Sequence, residues 1–150
     1  MYSKQQASAI KQKFWTSFGQ YMRPVKNAND ETINWINYHT GIKHIYFRMD
    51  ADNKQTTIAI ELHHPDTMMR QQYFEQFKQL RTLLEEETGE QWQWDEQYQD
   101  EHHNPVSRIS TALTGTNIFN EADWPAIISF LKPRIIALDS FWEMVKDRFE

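Results

Sequence analysis

The chain has 150 residues, a formal net charge of -5 and no cysteine. That balance works against non-specific binding to a phosphate backbone, which needs clustered Lys and Arg, and the missing thiols exclude disulfides and thiolate metal sites. Hydrophobic residues make up only 39%, but aromatics are 14%, enough large apolar side chain for one core in one domain over residues 1–150.

The opening MYSKQQASAIKQKFW has no continuous apolar run of the secretory-leader kind. No stretch approaches the roughly 20 apolar residues that span a bilayer. A cytoplasmic protein without membrane contact is expected.

Ser3 and Gln6 form a capping-box pattern that opens a helix. Ala7, Ile10, Phe14, Phe18 and Tyr21 recur along it at steps of three and four, and Pro24 closes it. After a polar loop at 27–31, TINWINY (32–38) is β-branched and aromatic and predicts a strand ending at Gly41.

Residues 43–64, KHIYFRMDADNKQTTIAIELHH, alternate on both sides of a turn signal. A turn centred on Asp52-Asn53 sets Ile45 against Ile60, Phe47 against Ile58 and Met49 against Thr56, all on a face that must be buried. Asp50 then meets Gln55. The other face carries His44, Tyr46, Arg48, Thr57, Ala59 and Glu61, with His44 opposite Glu61.

PDTMMRQQYFEQFKQLRTLLEEETG (65–89) predicts a second helix, striped by Met69, Tyr73, Phe77, Leu80 and Leu84 and stopped by Gly89. QWQWDEQY (91–98) and VSRISTAL (106–113) alternate as strands around a polar loop. Trp92 and Trp94 share a face and are expected in the core rather than as a platform for stacked bases.

In the last segment, Trp124, Ile128, Leu131, Ile135, Leu138, Trp142, Val145 and Phe149 recur at alternating steps of four and three. Ile127, Phe130, Ile136 and Phe141 widen this stripe beyond a coiled-coil seam, which suits packing on a sheet. Pro133 predicts a kink or two abutting helices. The order α-β-β-β-α-β-β-α implies an α+β fold: a mostly antiparallel sheet of about five strands with three helices on one face.

A restriction-nuclease type of metal site needs an Asp on one strand and Glu-x-Lys on the next. Asp50 and Glu61-Leu62-His63 imitate it, but the expected register sets them roughly 20 Å apart, too far for ligands that each sit near 2 Å from one Mg²⁺. Adjacent histidines, His63-His64 and His102-His103, point to opposite faces of a strand. His44, Glu61 and His63 make a sparse set for zinc. Ser107 and Ser110 have no evident base, and no phosphate-cradling loop is present. No catalytic residue, metal ligand set or cofactor is expected. Binding is the better expectation: His44, Tyr46, Arg48 and Glu61 form one polar face, and Arg108, from another strand, could join it. Arg48 suits a carboxylate or other anion, and Tyr46 an amphipathic contact.

NWINYHTGIKHIYFRMDAD, IAIELHH and NIFNEADWPAIISFLKPRIIALDSFWEMVKDRFE resemble the bacterial domain-of-unknown-function family 4268 over essentially the whole chain, most specifically in DWP…FLKPRIIALDSFW. Members of that family occur alone or as the C-terminal part of longer proteins, some of which look like restriction or defence nucleases with the nuclease part elsewhere. The resemblance implies an accessory role in recognition or assembly and supplies no catalytic residues. The expectation is a non-enzymatic binding or assembly module whose partner is another protein or a second copy of the chain, with nucleic acid entering only through that association. The alternative is a divergent metal-dependent nuclease using Glu61 with Asp50 or Asp95.

Overall fold

The computed structural model describes residues 2–150. Helix α1 (Lys4–Met22) leads into a long irregular segment, then the hairpin β1 (Ile45–Ala51) and β2 (Gln55–Leu62). Helices α2 (Thr67–Gln79) and α3 (Arg81–Thr88) follow, then β3 (Gln93–Gln99), β4 (Pro105–Thr114) and α4 (Trp124–Val145), with short 3-10 turns at Glu121–Asp123 and Lys146–Phe149. The four strands form one antiparallel sheet in the order β1-β2-β4-β3. The fold is α+β, with four strands and four α-helices rather than about five and three.

The capping box forms as the sequence implies: Gln6 N–H donates to Ser3 Oγ at 3.1 Å and Ser3 N–H to Gln6 Oε1 at 2.8 Å. The buried stripe of α1 ends on Met22, while Tyr21 is exposed.

The TINWINY strand is not formed. These residues lie in turns and irregular backbone, and their aromatics pack against the core without joining the sheet. Trp35 Nε1 donates to the Val25 carbonyl at 2.9 Å, and Tyr38 stacks on Phe47 with ring centroids 5.1 Å apart. The segment thus covers the edge of the core.

The hairpin turn sits one residue later than expected, at Asn53-Lys54. Asp52 N–H donates to the Gln55 carbonyl at 2.9 Å, and Asp52 Oδ1 accepts from the Lys54 and Gln55 amides at 2.8 and 2.9 Å. The side chain of Asp52 therefore stabilises the turn that follows it. Ile45 pairs with Leu62, Phe47 with Ile60, Met49 with Ile58 and Asp50 with Thr57. The offset of two positions keeps every residue within the strands on its expected face, since side chains alternate with period two. It does change the cross-strand partners: Tyr46, not His44, lies opposite Glu61.

The single helix expected over 65–89 is two helices. Leu80, at φ -100° and ψ 10°, ends α2 and starts α3. Phe74 and Phe77 of α2 and Leu84 of α3 all reach the core. Pro133 does not break α4, which is continuous from Trp124 to Val145. The Arg134 guanidinium donates to the Phe130 carbonyl at 2.9 Å beside the proline, and forks onto Glu90 with Nε–Oε2 at 2.9 Å and Nη2–Oε1 at 2.8 Å. The proline lacks the N–H that would reach the Ser129 carbonyl, and the neighbouring Arg134–Glu90 fork ties α4 to the segment after α3.

One sheet face carries Ile45, Phe47, Ile58, Ile60, Leu62 and Ile109 into the core. The helices bury Phe14, Phe18, Phe77, Leu138, Phe141 and Trp142 in the same cluster. Trp92 is buried and Trp94 meets Phe74 edge-on at 5.8 Å, so both serve packing. No helix among the described residues is long and apolar enough to cross a membrane.

Candidate functional site

Alternation sends the remaining strand residues to the opposite face. A row crosses all four strands there: Tyr46 on β1, Glu61 on β2, Arg108 on β4 and Asp95 on β3, each paired with the next in register. A groove of about 640 Å³ runs along this face, lined by strand residues, by His63 just after β2 and by the loop that joins β3 to β4, with no helix residue in its wall. A second groove of about 390 Å³ adjoins it and shares Thr57, Tyr98 and Arg108 with the first.

Glu61 organises the centre. Its Oε2 accepts from Arg108 Nε at 3.3 Å, and its Oε1 lies 2.8 Å from His63 Nε2. The carboxylate is largely enclosed, with a side-chain exposure of 15%. Burial alone would raise its pKa. The hydrogen bond from His63 and the charges of His63, Arg108 and Arg48 outweigh that, and its pKa falls below the usual glutamate value.

The two arginines are both laid on tyrosine rings. Arg108 Cζ stands 4.8 Å from the centroid of Tyr98, and Arg48 Cζ 4.5 Å from that of Tyr46. Arg108 spends only its Nε on Glu61. Arg48 has no carboxylate within 4 Å among the described residues. Both guanidinium groups line the larger groove.

Of the expected site residues, the structure brings Tyr46, Arg48, Glu61 and Arg108 together. His44 does not join them. It precedes β1 with a φ of +73°, and its ring contacts His64 at 4.7 Å, on the side where His64 meets Tyr73 of α2. Burial and the neighbouring charges of His64, Lys43 and His63 lower its pKa. His63 takes the place beside Glu61 that was expected of His44. The Glu-Leu-His spacing already signals this, because residues two apart on a strand share a face. Tyr98 was also missed: a bulge between Asp95 and Tyr98 in β3 sets its ring against Arg108, and no local pattern announces that bulge.

Asp50 lies four positions along β1 from the partner of Glu61, about 13 Å at strand spacing. The side chain of Asp95 holds the Gln93 amide, with Nε2–Oδ2 at 3.0 Å. Among the described residues, no three His, Asp or Glu side chains are grouped so that they could hold a metal ion.

The family model described as Domain of unknown function (DUF4268) matches residues 10–146, and the chain belongs to that family. No curated protein and no solved structure matches the chain.

Proposed function

We propose that this DUF4268 chain is a non-enzymatic binding module, with the polar sheet face around Tyr46, Arg48, Glu61 and Arg108 as its contact surface. The observation that carries the reading is the groove walled by strands, by His63 just after β2 and by the β3–β4 loop, on the face opposite the helices. Its side chains are ordered before any partner arrives: Arg108 is held between Glu61 and Tyr98, and Arg48 rests on Tyr46. Such preorganisation lowers the entropic cost of association. The occupant is a segment of another protein, and the module serves recognition or assembly beside a catalytic partner, the setting that the family resemblance implies.

The nuclease reading has less support. Glu61 is already engaged by Arg108 and His63, and Asp50 stands about 13 Å away along the strand.

The test is selection of a random peptide-display library on the purified protein and on the Tyr46→Ser/Arg48→Gln double variant. A shared motif enriched by the wild type and lost with the variant is the expected result. No enrichment, or enrichment that the variant leaves unchanged, overturns the assignment of this face. Light scattering of both proteins tests the other occupant: a dimer that the variant dissociates would assign the face to self-association.

A further inference from the structure

We propose that the groove recognises a carboxylate side chain flanked by basic residues, in an extended segment of a partner protein. This rests on the reading of the polar face as the binding surface and adds the chemistry of what binds there.

Arg48 and Arg108 carry the first half of the inference. Glu61 stands on β2, between the strands that bear them. Arg48 makes no hydrogen bond to a described side chain, and the Nη atoms of Arg108 donate to none. A guanidinium resting over an aromatic ring keeps its remaining N–H groups free, and its planar fork matches a carboxylate. Strand spacings put the two arginine Cα atoms about 12 Å apart, within reach of two long side chains converging on one group.

The acids at the ends of the groove carry the second half. Asp50 lies towards the β1–β2 turn, two residues beyond Arg48 on the same face. Asp100 and Glu101 lie at the other end, in the β3–β4 loop. The Oδ1 of Asp100 accepts from the backbone amides of His102 and Asn104, both at 2.9 Å, which fixes that charge in place. Along the strands the order is acid, arginine, arginine, acid. Glu61 does not add to the acid count available to a ligand, because Arg108 and His63 already engage it. A polyanion would meet repulsion at both ends. A single carboxylate with a Lys or Arg two residues to either side places all three charges on one face of an extended chain, opposite their complements.

The experiment is a titration of the ¹⁵N-labelled full chain with three capped peptides, read by amide chemical shifts. They are acetyl-Lys-Ala-Glu-Ala-Lys-amide, the same peptide with Gln for Glu, and acetyl-Glu-Ala-Glu-Ala-Glu-amide. The Lys-Glu-Lys peptide is expected to move the amides around Tyr46, Arg48, Glu61 and Arg108. The Gln peptide is expected to bind about tenfold more weakly, the loss of a charge-assisted fork, and the all-acid peptide also more weakly. Arg48→Gln, an exposed substitution, should reduce the Lys-Glu-Lys peptide to the Gln peptide's affinity, and Arg48→Lys should restore only part of the loss. If the Gln peptide binds the same amides equally well, the carboxylate inference falls while the binding face stands. If the all-acid peptide binds best, the flanking basic residues are wrong. If none of the three perturbs this face, both the inference and the reading beneath it fail.

Discussion

The Tyr38 hydroxyl donates to Asp139 Oδ1 at 2.5 Å, joining a loop residue to the middle of α4 across 101 positions of chain. Asp139 is buried, and its other oxygen accepts from the Ala28 amide at 2.7 Å. Burial, the hydrogen bond to Asp139 and the charges of Asp139 and Glu143 push the Tyr38 pKa well above the usual phenol value. A buried carboxylate without these donors would carry a large desolvation cost. The pair therefore holds the 23–44 segment against the core, including residues 32–38, where a strand was expected.

Tyr38→Phe keeps the ring stacked on Phe47 and removes only the donor. The expected loss is about 1.5–3 kcal/mol of stability, the range for a hydrogen bond to a charged group. Urea unfolding with an unchanged m-value would measure it. No loss would mean that Asp139 is satisfied by other means.

Leu138 is fully buried in α4. Leu138→Ala should cost about 2–5 kcal/mol through lost burial and the cavity left behind. A negligible shift in the unfolding midpoint would contradict the helix face described above.

Glu61 predicts an acid-sensitive contribution. Its folded-state pKa lies below the value it has in the unfolded chain, so the folded state favours the ionised form. The contribution is fully present above the unfolded value, near 4.3, and is lost as pH falls through the depressed folded value. Glu61→Gln should be less stable than the wild type at pH 7, by about 1–2 kcal/mol, with the gap narrowing at an acidic pH below the unfolded value. Parallel urea curves at the two pH values decide it; a gap that stays constant with pH would mean that the carboxylate's charge is not what stabilises.

His44 occupies left-handed backbone, where glycine meets no Cβ penalty. His44→Gly should raise stability by up to about 1 kcal/mol, read as a higher thermal midpoint. The amides around Tyr46, Glu61 and Arg108 should stay in place, since His44 is outside their cluster. A drop in stability would show that the ring contact with His64 outweighs the backbone strain.

Much of this architecture was legible in the chain itself. Period-two alternation assigned Ile45, Phe47, Ile58 and Ile60 to the core and Tyr46, Arg48 and Glu61 to the opposite face, and that assignment survived a register offset of two because parity is unchanged. The α1 capping box was equally local, closed by groups three residues apart. The meeting of Arg108 with Glu61 and Tyr98 needed the order of the strands and the β3 bulge. The fate of TINWINY needed Asp139, which is far away in sequence. Local sequence determined which way side chains face, because backbone geometry sets that residue by residue. Only the tertiary structure decided which of them meet, because partners for buried polar groups are drawn from the whole chain.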